Sequence, residues 1–311
     1  MNLLFLRALG LGDLLTAIPA FRACARSFPQ HRRILAAPRA LEALLPLVGG
    51  IDELIDAAPL QELHGYPSPI DVAVNLHGCG PQSHRILLKS RPTRLIAFEN
   101  GEVPESCGFA QWNDSEREKE RWCRLLRENG VPADASDYTI TAGKTDERTR
   151  GAIVLHPGAA SESRRWPVTR WIELCTVLRR HGHRVAVTGS AQERFRCRSI
   201  AKAAGIPPES VLAGKTALDD LAAAIAAARV LICGDTGVAH LATALGTPSV
   251  VLFGPTSPHV WGPPPERTEH RVLWRGTIGD PHGERVDPGL ASITTGEVLA
   301  EVQSLHERRT V

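Results

Sequence analysis

No stretch of this chain approaches the roughly 18 consecutive apolar residues that a membrane-spanning helix requires. The opening residues, MNLLFLRALGLGD, are apolar but carry no basic leader, reach Arg7 at once and offer no small-residue cleavage site, so no signal peptide is expected. The seven cysteines, at positions 24, 79, 107, 123, 175, 197 and 233, are odd in number and contain no Cys-x-x-Cys pair. That pattern argues against both a disulfide framework and a zinc site. Lysine occurs only five times, and the remaining basic residues are arginine, a compositional bias with little bearing on function. Charge of one sign is also missing: 36 basic against 34 acidic side chains leave +2. A nucleic-acid binder relying on bulk positive charge is excluded. Together these absences predict a soluble cytoplasmic protein with no transmembrane segment and no nucleic-acid partner. They leave peripheral membrane contact open and do not fix an oligomeric state.

What is present is 311 residues, 43% of them hydrophobic, enough for two domains of about 150 residues each. Short apolar runs alternate with helical patterns. In the first half, strand signals cover 3–6, 33–36, 51–55, 70–76 and 94–98, and helical patterns cover 14–25, 39–47, 82–89 and 114–129. Residues 141–151 (TAGKTDERTRG) are polar and aperiodic and read as a linker. The rhythm then restarts, with strands at 152–155, 184–188, 230–233 and 249–253 and helices at 168–180, 191–204, 218–228 and 237–245. The stretch 255–289 is rich in Pro and Gly and reads as ordered loops, followed by an amphipathic helix from Thr295 to about His306. Such alternation specifies parallel sheets built from βαβ units. The expected fold is α/β: two Rossmann-like domains, 1–143 and 151–294, facing across a cleft, with a C-terminal helix in 295–311. In open α/β sheets the ligand crevice lies beyond the carboxyl ends of the strands.

Four motifs fall at such ends. Gly10-Leu11-Gly12-Asp13 follows the first strand. Leu15 occupies the position where a dinucleotide fingerprint needs its third glycine, which counts against a nicotinamide dehydrogenase. Asp13 then reads either as a helix N-cap or as a crevice carboxylate able to act as a general base. The second motif is HPGAASESRRWP, His156 to Pro167, with small residues and two arginines suited to a phosphate. The third, Cys233-Gly234-Asp235-Thr236-Gly237-Val238-Ala239-His240, opens a helix whose free N–H groups favour an anion. An aspartic protease would need a second carboxylate sharing a proton, so that reading of Asp-Thr-Gly is rejected. The fourth, Phe253-Gly254-Pro255-Thr256-Ser257-Pro258, reads either as a turn-rich loop near the same crevice or as a contact for donor sugar or phosphate. In the first half, Asn75, His77, Gln82, His84 and Arg85 follow a strand and read either as groups for acceptor hydroxyls or as a glycine-rich turn ahead of a helix.

Taken together, GDLLTAIPAF, HPGAASESRRWP and GDTGVAHLATALGTPSVVLFGPTSP, in that order, resemble glycosyltransferase family 9, the ADP-heptose:lipopolysaccharide heptosyltransferases and their relatives. The likeness runs from Leu3 to about Leu299. It implies a GT-B fold, with acceptor bound mainly by the N-terminal domain and the ADP-sugar by the C-terminal one. It also implies inverting transfer with neither metal nor cofactor, the ADP-sugar being a substrate. The family's catalytic aspartate matches Asp13, beside Gly12. Its donor-phosphate base, commonly lysine, matches Arg164 in the loop of Gly158. The family's hydroxyl position falls on Ala160, leaving Ser161 or Ser163 to take its place. Asp235, Thr236, Gly237 and His240 match the donor motif, Lys215 and Thr216 the segment near the adenine, and Glu193 the acidic residue at the ribose. The rival functions are a nucleotide-sugar epimerase or hydrolase of the same fold, which would act on donor alone, and a non-catalytic nucleotide-sugar-binding relative.

Overall fold

The structure, a computed structural model, describes residues 1–307. The chain forms two compact units that divide between Tyr138 and Thr139. The residues read as a linker from position 141 follow Ile140, whose N–H donates to the Ala244 carbonyl (2.9 Å) within the second unit.

Unit 1 holds β1 (Asn2–Leu6), α1 (Leu11–Thr16), α2 (Ile18–Ser27), β2 (Arg32–Ala37), α3 (Leu45–Val48), β3 (Glu53–Asp56), β4 (Val72–Asn75), α4 (Gln82–Leu88), β5 (Arg94–Ile96) and α5 (Glu118–Glu128). Its five strands are parallel, in the order β3-β2-β1-β4-β5. β1 is apolar and buried from Leu3 to Leu6, as a parallel strand covered on both faces must be. Phe21 of α2 meets Phe5 edge to face at 5.1 Å, which docks that helix on the sheet. The helix expected over 39–47 is a 3-10 turn, Arg39–Leu44, followed by the short α3, because Pro46 restarts the hydrogen-bond ladder. The helix expected from 114 begins at Glu118. Asn113 holds the preceding residues in a turn by accepting the Ser115 N–H and hydroxyl.

Unit 2 holds β6 (Ile153–His156), α6 (Val168–Arg180), β7 (Val185–Val187), α7 (Arg194–Ala203), α8 (Leu218–Ala226), β8 (Val230–Gly234), α9 (Gly237–Leu245), β9 (Ser249–Leu252), α10 (Pro258–Trp261), β10 (His270–Leu273), α11 (Pro288–Ser292) and α12 (Thr295–Glu307). Its parallel order is β10-β9-β8-β6-β7. The core gathers Trp166, Trp171 and Leu174 with Ile200, Val250 and Val298. Trp166 and Trp171 pack edge to face at 5.1 Å, and the Trp166 indole N–H donates to the Ile293 carbonyl. The stretch 255–289, expected to be loops alone, contains α10, β10 and the start of α11. β10 is an edge strand with Val272 exposed, so its four residues lack the buried apolar run that betrays an inner strand. α12 carries the expected last helix; positions 308–311 of that expectation lie outside the described residues. All seven cysteines are free thiols. Among the described residues no helix is long and apolar enough to cross a membrane.

His270 at the start of β10 is buried, with Nδ1 2.9 Å from Ser249 Oγ. Burial pushes its imidazole down from 6.5 to about 4. Between those values the unfolded chain binds a proton that the folded chain does not. The contribution is complete above pH 6.5 and is lost as pH falls towards 4. His77, His84 and His156 are shifted the same way. The denaturation midpoint should therefore fall across that interval, and less steeply in His270→Asn; equal slopes in parent and variant would remove His270 as a source.

Candidate functional site

Each sheet has one place where successive connections leave in opposite directions, and ligands of open α/β sheets bind beyond the strand ends there. In unit 2 that point lies between β6 and β8, which are neighbours in the sheet but not in the chain. In unit 1 it lies between β1 and β4.

From β6 runs the loop His156–Arg165, and from β8 the turn Gly234–Asp235–Thr236 into α9. The two approach closely: a Cβ added at Gly234 would stand 3.0 Å from the Arg164 carbonyl oxygen. Arg164 Nε lies 3.3 Å from Ser161 Oγ, and Nη1 lies 3.5 Å from the Asp235 carbonyl and 3.9 Å from its carboxylate. These contacts are long, so the guanidinium keeps strong donors for an incoming anion. Arg165, its neighbour, is committed to structure. It donates to the Ala159 carbonyl and pairs with Glu162, which also holds Arg196 at 2.8 Å.

Thr236 caps α9 in an extended conformation, and its hydroxyl makes no capping bond. Thr236, the N–H groups of the first turn and the positive end of the helix dipole thus present an anion-binding edge. Asp235 is buried, and its carboxylate accepts the Thr256 hydroxyl proton. Its carboxylate is hydrogen-bonded by Thr256, while Arg164 stands 3.9 Å away. Thr256 belongs to the turn-rich fourth motif, which the sequence offers as a contact for donor sugar or phosphate. His240, one turn into α9, is half-buried and faces the Trp261 ring at 6.3 Å.

Ser161 Oγ donates to the Pro281 carbonyl, and Ser163 is buried at 3.2 Å from it. The Ser163 N–H donates to the Gly283 carbonyl and its carbonyl accepts from Asp287. Both serines thus lock the loop onto residues 281–287, while Ala160 is exposed. A Cβ added at Gly158 would lie 1.9 Å from Glu193 Oε1, so any larger residue there displaces that carboxylate. Glu193 also accepts the Ser190 N–H at 2.8 Å. Burial holds the neighbouring His156 imidazole below its ordinary value, against the opposing field of Glu193. Arg194 donates to the Gly214 carbonyl (2.7 Å), which brings the turn carrying exposed Lys215 and half-buried Thr216 beside Glu193.

In unit 1, Asp13 is the third residue of α1 and not its N-cap, which is Gly10. Its Oδ2 accepts the Gly10 N–H (3.1 Å), and its Oδ1 lies 3.4 Å from Arg7 Nη2. The side chain keeps 27% exposure, so one carboxylate both closes the turn and faces out. Gly12 is half-buried beside it. Arg7 carried no role in the sequence reading. It is fully buried, and its signal was a charge placed directly after an apolar strand and before a glycine turn.

Two expected acceptor residues prove internal. The Asn75 amide donates to Ser83 Oγ (2.9 Å) and His84 Nδ1 (3.1 Å), and its oxygen accepts the His77 N–H. His84 Nε2 donates to the Phe98 carbonyl (2.7 Å). Both are buried and shape the loop from within, because polar atoms removed from water take partners inside the protein. His77 remains half-buried near Arg7 and Asp13, with an Nδ1 that has no hydrogen-bond partner. Burial first, then Arg7, lowers its pKa. Gln82 and Arg85 are exposed, and Arg85 pairs with Glu102 at 3.2 Å. Among the described residues no group of three or more His, Cys, Asp or Glu could hold a metal ion.

The sequence pattern of glycosyltransferase family 9 (heptosyltransferase) matches residues 120–279, just over half of the chain. The chain belongs to glycosyltransferase family 9. Lipopolysaccharide heptosyltransferase 2 of Salmonella typhimurium is 28% identical over 228 residues, 68% of this chain and 59% of that protein. The match thus spans somewhat over half of that relative's length. The structure of Escherichia coli ADP-heptose lipopolysaccharide heptosyltransferase II superposes with a TM-score of 0.78 at 22% identity, covering all of both chains. An Escherichia coli heptosyltransferase solved with ADP gives 0.73 at 17% identity over 98% of this chain and all of that one. The family 9 fold, two parallel sheets flanked by helices as in GT-B enzymes, is therefore that of this chain.

The internal role of Asn75 is testable. Asn75→Ala should destabilise the protein by about 1–3 kcal/mol, because the His77 N–H, Ser83 and His84 lose their partner. A near-neutral change in chemical denaturation would return Asn75 to the ligand-facing groups.

Proposed function

We propose that this protein transfers heptose from ADP-heptose to a hydroxyl of a glycan acceptor, the lipopolysaccharide core, with inversion at the anomeric carbon, in the cytoplasm. Family membership supports the reaction class. The observation that carries the assignment of roles is the separation of chemistries between the units. Unit 2 offers an anion-binding edge whose own carboxylate, Asp235, is already hydrogen-bonded by Thr256. The carboxylate presented for proton transfer is Asp13 of unit 1.

In this reading the acceptor hydroxyl attacks the anomeric carbon as Asp13 takes its proton. The bond to the diphosphate oxygen breaks on the opposite face, and ADP leaves with the electron pair. Arg164, the Thr236 hydroxyl and the N–H groups of Gly237 and Val238 meet the negative charge that develops, fixed in place before the reaction begins. They fill the electrostatic role that a divalent cation has in other nucleotide-sugar transferases. Glu193, Lys215 and Thr216 are assigned to the nucleoside, and His240 with Gly158 to the donor edge. Ser161 and Ser163 act by holding Arg164 and its loop. Gly12 and His77 flank Asp13 on the acceptor side, with Gln82 and Arg85 at its outer rim.

Calorimetry with ADP, UDP, GDP, dTDP and NAD in the absence of metal tests the donor. Selective ADP binding is expected; selective binding of another nucleotide would overturn the donor assignment. Release of free sugar or an isomer from donor alone, with no dependence on acceptor, would identify a hydrolase or epimerase instead. Arg164→Ala should weaken ADP binding by about 1.5–3 kcal/mol, the worth of a charged hydrogen bond; unchanged affinity would move the phosphate site. Asp13→Asn should cut turnover by about 10²–10⁴-fold with ADP affinity nearly constant. Turnover at the parent rate would remove Asp13 from the mechanism.

A further inference from the structure

Arg7 and Glu118 form a buried charge cluster behind Asp13 that the transfer reaction as described above does not use. Arg7 is 1% exposed and Glu118 is 4% exposed. Arg7 Nε donates to the Asp13 carbonyl (3.0 Å) and Nη1 to the Leu76 carbonyl. Its Nη2 faces three acceptors: Glu118 Oε1 at 2.9 Å, Thr16 Oγ1 at 3.1 Å and Asp13 Oδ1 at 3.4 Å. One guanidinium thus ties the ends of β1 and β4 to α1 and to α5, which begins 111 residues further along the chain. Glu118 is itself fixed, accepting from the Trp122 indole (3.0 Å) and pairing with Arg121, also buried. The Trp122 ring lies under Arg7 at 4.8 Å.

The distances rank the partners. Arg7 pairs closely with Glu118 and only loosely with Asp13. A buried arginine attracts the nearest carboxylate strongly, since little water screens it. Without Glu118, Asp13 would be the remaining carboxylate for Arg7, and its lone pairs would turn inward. The other charged or titratable group near this pair is His77, from the loop after β4, which burial keeps towards its neutral form. Arg121 stands behind Glu118.

We infer that Glu118 is a positioning residue for transfer: as the counter-charge of Arg7, it keeps the Asp13 carboxylate free to accept the acceptor's proton. This rests on the reading of Asp13 as the base.

The experiment compares Glu118→Gln and Glu118→Asp in the full-length protein, with rate–pH profiles and ADP calorimetry. Glu118→Gln should lower kcat about tenfold or more, as expected when an interaction specific to the transition state is lost. KM for the donor and ADP affinity should stay near parent values. The acid limb of the profile should move to lower pH, because an uncompensated Arg7 favours the ionised form of its neighbour. Glu118→Asp keeps the charge and should retain most of the activity. Parent kcat with an unmoved limb in Glu118→Gln would overturn the inference, as would equal losses in Gln and Asp. If Glu118→Gln fails to fold, the double variant Glu118→Gln/Arg121→Gln restores the charge balance of the cluster and still leaves Arg7 only Asp13. It should show the same loss of kcat, and parent activity there would overturn the inference. Asp13→Asn measured alongside keeps the two readings apart. An active Asp13→Asn removes the base itself, whereas an inactive one beside a parent-like Glu118→Gln removes only the role of Glu118.

Discussion

A parallel sheet has to be covered on both faces, because the crossovers that join its strands carry helices over them. In each unit of this protein that requirement leaves the inner strands largely apolar and sends polar side chains to the strand ends. β1, β4, β6 and β8 are buried along nearly their whole length. Arg7, Asp13, His77, Arg164, Asp235 and Thr236 all lie in the segment that leaves the carboxyl end of one of these four strands. Chemistry and packing are thereby separated along the chain by no more than eight residues. The loops can vary without disturbing the sheet, and the sheet fixes where each loop begins.

Where packing repeats with a regular period, the sequence is informative. The limits of α6 and α9 follow from the spacing of Trp171, Leu174 and Leu178 and from Gly237 to Leu245, and the structure places both helices there. β10 escaped because an edge strand of four residues with alternating burial leaves almost no hydrophobic signature. Within the loops, residue type shows polarity but not its direction. Asn75 and Gln82 look equally suited to a sugar hydroxyl, yet one is sealed inside the loop and the other is exposed. Arg164 and Arg165 are adjacent and identical, and only the position of Glu162 shows which is committed to structure. Arg7 was illegible for a further reason: its meaning depends on Glu118, and no local window contains both.

The two site regions solve opposite electrostatic problems. Around Arg164 the contacts are long and the helix end is open, which leaves positive potential unspent. Around Asp13 two buried arginines, Arg7 and Arg121, face two carboxylates, Glu118 and Asp13. A surplus suits a region that must attract a dianion; a balance suits one that must accept a single proton.

The contact between Gly158 and Glu193 has a consequence for sequence variation. The carboxylate occupies the volume where any side chain at position 158 would begin. Alanine at 158 therefore acts by evicting Glu193, and its cost should largely vanish in a chain where position 193 is already small. The two substitutions are then strongly non-additive, as expected for residues sharing one volume. A side chain at 158 is accommodated most readily where position 193 is already small, and otherwise only by moving the Glu193 carboxylate. The steric contact thus couples the two positions in sequence variation.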